Sequence, residues 1–113
     1  MFKLDLSPSY KWPVTVRFVD ESGRRHERTF HVLFRRLKKS EIDELTRAQE
    51  LGEMDDAVFM REIVAGWDGI VDADGKPVEC DDEAMRMLAD IPEVASAIGV
   101  AWIESLAGGP RKN

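Results

Sequence analysis

The residues that come nearest to a chemical motif in this 113-residue chain are Asp72-Ala73-Asp74-Gly75, because alternate carboxylates ahead of a glycine open a calcium-binding loop. With Gly75 at the loop's sixth position, Ile70 falls at the first and Asp81 at the twelfth, where an acidic ligand and a bidentate Glu belong. The first ligand is missing, so the stretch reads as a turn. His26 and His31 are the only histidines, and five residues apart on a strand they point to opposite faces and cannot converge on one metal. The single cysteine, Cys80, can form neither an intrachain disulfide nor a thiolate cluster and reads as a small buried hydrophobe. Carboxylates are abundant, but Asp55 or Asp56, Asp81 and Glu83 are accounted for as helix caps and first-turn acids. There is no glycine-rich phosphate loop and no Gly-x-Ser-x-Gly turn. The expectation is a non-enzymatic protein with no catalytic, cofactor-binding or metal-ligating residues.

Charge gives a different lead. The net charge is −6, yet residues 1–39 hold ten Lys/Arg against four Asp/Glu and residues 40–113 hold six against eighteen. A chain divided in this way suits either a polyanion partner or self-association, since a basic face attracts phosphate or another copy's acidic face. Arg24, Arg25, Arg28, Arg35, Arg36, Lys38 and Lys39 could follow a phosphate backbone. Against this, the acidic remainder repels a polyanion, and no exposed aromatics interleave with the arginines to stack on bases. Nucleic-acid binding by the basic hairpin, or the role of another small adaptor domain, is therefore the alternative rather than the leading reading. No signal peptide opens the chain and no apolar run approaches the roughly 20 residues of a membrane span, which gives the expectation of a soluble, cytoplasmic protein.

These residues must be held by a small set of elements. Val14, Val16 and Phe18 alternate on one strand, Asp20-Glu21-Ser22-Gly23 turns, and Phe30, Val32 and Phe34 alternate on the return. Phe2, Leu4 and Leu6 show the same period, which makes residues 2–6 a candidate third strand. Ser40 is the expected cap of a first helix ended by Gly52, with Ile42, Leu45 and Leu51 at helical spacing. Asp55 or Asp56 starts a second, apolar through Phe59, Met60, Ile63 and Val64 and closed by Gly66, which can take a left-handed conformation. Trp67 follows. Ile70 and Val71 face Val78 across the Asp74-Gly75 turn, a short hairpin over 70–79. Asp81 caps a helix to Asp90 with Met85, Met87 and Leu88 inward, and Cys80 and Met85 form a hydrophobic staple. Pro92 opens the last helix, whose apolar set is Val94, Ala95, Ile98, Ala101, Trp102 and Leu106.

Gly66-Trp67-Asp68-Gly69, Asp74-Gly75-Lys76-Pro77-Val78, Asp81-Asp82-Glu83 and Ile91-Pro92-Glu93-Val94 running to Trp102 occur in an order that resembles the small tail assembly chaperones of long-tailed bacteriophages. This covers about half the chain. Weaker matches lie at Phe2-Lys3-Leu4, at Pro13 to Val16, and at the Phe30 strand leading to Ser40. The resemblance implies a holdase that coats the apolar tape-measure protein, recruits tail-tube subunits and is absent from the mature virion of a phage or prophage. It also implies a longer form made by ribosomal slippage, for which Arg111-Lys112-Asn113 permits a run of adenines.

The expected architecture is one domain over 1–113. An antiparallel hairpin in 1–39 packs with about four short helices in 40–107, and 108–113 is a flexible tail. This is an α+β fold; the alternative is a mainly α fold with the hairpin as an appendage. Such a frame hardly hides three tryptophans, five phenylalanines and five methionines. Some apolar surface is left for a partner. Trp67, Ile70, Val71, Ile98, Trp102 and Leu106 are the candidate contact residues.

Overall fold

The computed structural model describes residues 1–107. Its elements run β1 (Ser9–Val19), β2 (Arg25–Arg35), α1 (Lys39–Glu50), α2 (Asp56–Ile63), β3 (Val64–Asp68), α3 (Asp82–Ala89) and α4 (Pro92–Leu106). The three strands form one antiparallel sheet in the order β1-β2-β3. The fold is α+β, and the sheet is part of the core rather than an appendage, since Val14, Val32 and Phe34 are fully buried.

Alternation decides which face of the sheet is covered. The pairs Tyr10↔Phe34, Trp12↔Val32, Val14↔Phe30 and Phe18↔His26 put the aromatic and branched residues on one side. There α4 crosses β1, while α2 packs against β2, β3 and α3. Ile63, Met85, Leu88, Ile98 and Trp102 complete the core. The other side is solvated and polar, with Thr15 and Thr29 hydroxyls 3.1 Å apart, Arg17 and Glu27 paired at 3.0 Å and Lys11 and Asp68 at 3.3 Å.

The third strand is not the one expected. Residues 2–6 form no strand, and the place beside β2 is taken by Val64–Asp68. The second helix therefore ends at Ile63, before Gly66, and Gly66 lies within β3 opposite Leu33. Pairing with the long β2 satisfies backbone groups that one more helical turn would have left at a frayed end. The left-handed glycine is Gly69, with φ 91°, where the chain leaves β3.

Helix starts follow local chemistry. Asp55 and Asp81 accept hydrogen bonds from the Val58 and Ala84 N–H groups at 2.9 and 2.8 Å, and Pro92 opens α4. Ser40 is not a cap: α1 begins at Lys39, and the Glu41 carboxylate reaches back to accept from the Lys38 N–H at 3.0 Å. Gly52, at φ 70°, ends that helix as expected. Leu51 and Met87, expected inward, are exposed. The tail 108–113 lies outside the described residues.

Candidate functional site

Asp72 to Lys76 is a turn whose donors and acceptors are used internally. The Asp72 Oδ1 accepts from the Asp74 and Lys76 N–H groups at 2.9 and 3.0 Å, and the Gly75 N–H donates to the Asp72 carbonyl at 2.9 Å. Val71 bridges Pro77, and the Val78 N–H donates to the Ile70 carbonyl at 2.9 Å. The hairpin is secured to the sheet by Trp67, whose indole N–H donates to the Val78 carbonyl at 2.7 Å. Cys80 beside it is half-buried, and burial pushes its thiol pKa up, which makes it a poor nucleophile.

The six candidate contact residues do not form one patch. Trp67 and Ile70 are half-buried against the core and Val71 is exposed on the hairpin. Ile98 and Trp102 are buried, Trp102 meeting the Phe59 ring edge-on at 5.3 Å between centroids. Packing is their role here. Leu106, also on α4, is exposed.

What α4 does offer lies on the opposite side from Ile98 and Trp102. Its fifteen residues include only Glu93 and Glu104 as charges, so the helix is apolar nearly all round. A helix of that kind is normally covered on every side. Val100 and Ile103 are instead 53% and 64% exposed. Val100 and Ile103 were not among the sequence-derived candidates, although the scarcity of charge along 92–106 is a signal that could have found them.

A second feature is an open groove between the start of β1, the end of β2, α1 and the end of α4, lined by Tyr10, Trp12, Arg35, Arg36, Trp102 and Leu106. It brings arginines beside aromatics, which the sequence reading did not foresee. Tyr10 is nevertheless fully engaged: its hydroxyl is 2.8 Å from that of Ser105, Arg36 covers its ring at 5.0 Å, and Phe34 lies against it at 5.9 Å. A further groove between α2 and α4 is lined by Phe59, Met60, Ile63 and Ala95, with Asp56 and Asp90 at its rim.

At the tip of the first hairpin, His26 stacks on Phe18 with ring centroids 5.4 Å apart and lies 2.6 Å from the Asp20 carboxylate through Nε2. His31, on the outward face opposite Pro13, is far from it in register. The two histidines do not converge, as their spacing implied. Among the described residues no cluster of three metal-ligating side chains occurs, and no helix is long and apolar enough to cross a membrane. Comparison with protein-family models, curated proteins and solved structures finds no match to this chain.

Proposed function

We propose that this protein is a non-enzymatic assembly chaperone of the phage-tail type, which holds the apolar helical tape-measure protein and recruits tail-tube subunits in the host cytoplasm. It is then left out of the finished virion. The observation that carries the reading is the outward face of α4, where Val100 and Ile103 stay exposed on a helix almost free of charge. An apolar helix face of this kind suits another amphipathic helix laid along it, and apolar anchors supply most of the affinity at such contacts. The resemblance in the order of motifs from Gly66 to Trp102 supplies the identity of the partner.

The test separates surface from core. Val100→Ser with Ile103→Ser changes exposed side chains only, so the variant is expected to keep its circular dichroism and melting behaviour. Co-purification with the tape-measure protein is expected to weaken at least about 30-fold, corresponding to about 2 kcal/mol or more lost at the anchors. Unchanged capture by a folded double variant would sink the reading. Trp102→Ala is the wrong probe, since removing a buried tryptophan costs about 3–5 kcal/mol of stability and confuses binding with folding.

The alternative, nucleic-acid binding, draws on Lys11, Arg35 and Arg36 around the groove. The engaged Tyr10 ring and the acidic helical half both count against it.

A further inference from the structure

The sheet has two edges, and they are built differently. β1 carries Lys11, Pro13 and Arg17 along its eleven residues, and proline and lysine are what natural edge strands use to prevent another strand from adding. β3 is Val64-Ala65-Gly66-Trp67-Asp68, with neither. Apart from its pairing with β2, the only backbone hydrogen bond that reaches β3 among the described residues is from the Val64 N–H to the Met60 carbonyl. Among the described residues no strand is paired with the outer edge of β3, the kind of edge that can template a further strand.

The same chain holds a segment with the alternation of a strand and no partner. Phe2, Leu4 and Leu6 alternate with Lys3 and Asp5, yet the three apolar side chains are 72%, 91% and 54% exposed. The segment is tied down just after it, where the Arg36 guanidinium donates to the Ser7 carbonyl and the Arg36 N–H to the Pro8 carbonyl, both at 2.8 Å. That anchor rules out pairing with its own β3. A strand added beside β3 lies three strand spacings from β1, about 14 Å, and the chain from Leu6 to Ser9 spans at most about 11 Å.

We infer that residues 2–6 of one copy add as a fourth strand to the β3 edge of a second copy. Segment and edge are of similar length, and in an antiparallel register offset by one residue from an end-to-end match Lys3 stands opposite Asp68 and Leu4 opposite Trp67. In the register that puts Phe2, Leu4 and Leu6 on the side of Trp67 and Ile70, they leave water for the half-buried apolar side of the sheet. Lys3 and Asp5 then join Asp68 on the outer, polar side, where Lys3 complements the Asp68 carboxylate. Each copy has one such segment and one such edge, so a reciprocal exchange between two copies fills both and closes with two-fold symmetry. The inference does not rest on the tape-measure reading, and either can fail while the other stands.

The experiment is sedimentation velocity on the full chain between about 1 and 100 μM, with hydrogen exchange at the β3 amides followed over the same range. Phe2→Asp with Leu4→Asp is the test variant, and because these side chains are largely exposed it is expected to fold normally. The expected result is a concentration-dependent dimer in the parent, slowed exchange in residues 65–68 as it forms, and a dissociation constant raised at least about 10-fold in the variant. A parent that stays monomeric, a variant that dimerises equally well, or a dimer that leaves exchange in 65–68 unchanged would each overturn it.

Discussion

Asp20 concentrates more hydrogen bonds than any other side chain in the described residues. Its Oδ1 accepts from the Ser22 N–H, the Ser22 hydroxyl and the Arg24 N–H, while Oδ2 faces His26. The bond to His26 first, then those to Ser22 and Arg24, lower its pKa from the ordinary 3.8 to about 2. A carboxyl whose folded pKa is depressed stabilises the fold fully above its unfolded value and loses that contribution as pH falls through the folded one. The window is therefore from near 3.8 down to about 2. Asp20→Asn keeps an oxygen acceptor but cannot titrate, so its urea midpoint is expected to fall less steeply than the parent's across this window. Parallel curves would show that another group carries the acid sensitivity.

At the scale of elements, one turn design is used twice. In Asp20-Glu21-Ser22-Gly23-Arg24 and Asp72-Ala73-Asp74-Gly75-Lys76 the aspartate N–H donates to the carbonyl four residues on, at 2.9 and 2.8 Å, and the glycine N–H returns to the aspartate carbonyl. The aspartate Oδ1 accepts from the N–H groups two and four residues on in both. Gly23 and Gly75 have φ of 84° and 79° and open space where a Cβ would stand. Gly69 has φ 91° and, in addition, Phe30 Cβ only 3.4 Å from that position. Gly75→Ala therefore meets backbone strain alone, roughly 1 kcal/mol, whereas Gly69→Ala also brings a Cβ to the close limit of contact with Phe30. The expected order of thermal midpoints is parent, then Gly75→Ala, then Gly69→Ala. Equal losses would mean that the approach to Phe30 relaxes freely.

For the whole molecule, the two halves of opposite charge are joined through one core rather than separated. Surface pairs such as Lys11–Asp68, which links β1 to β3, and Arg17–Glu27 balance part of the basic half on the outer face of the sheet. Exposed pairs of this sort add little stability, about 0–1 kcal/mol each, but they reduce the field a polyanion would meet. No gel shift with duplex or single-stranded nucleic acid is expected at physiological salt. A sub-micromolar shift that weakens with salt and on Arg25→Ala or Arg28→Ala would instead favour the nucleic-acid reading.

Interactions between residues close in the chain were legible in the sequence. The alternation of Val14 to Phe18 and Phe30 to Phe34, the caps at Asp55 and Asp81, the two Asp/Gly turns and the start at Pro92 are all decided within a few residues, where backbone geometry and one side chain suffice. The partners of those elements were not. Val64 to Trp67 continues the apolar pattern of α2, and only the ladder with β2 turns it into a strand and moves the left-handed glycine from Gly66 to Gly69. Tyr10 and Ser105, 95 residues apart, meet because α4 crosses β1. On α4 the stripe of Ile98, Ala101 and Trp102 was legible and is buried, but its sequence could not say that Ile98 and Trp102 are wholly taken up by packing. Packing alone made Ile98 and Trp102 core and left Val100 and Ile103 outside, because burial is set by which surfaces meet across the whole chain.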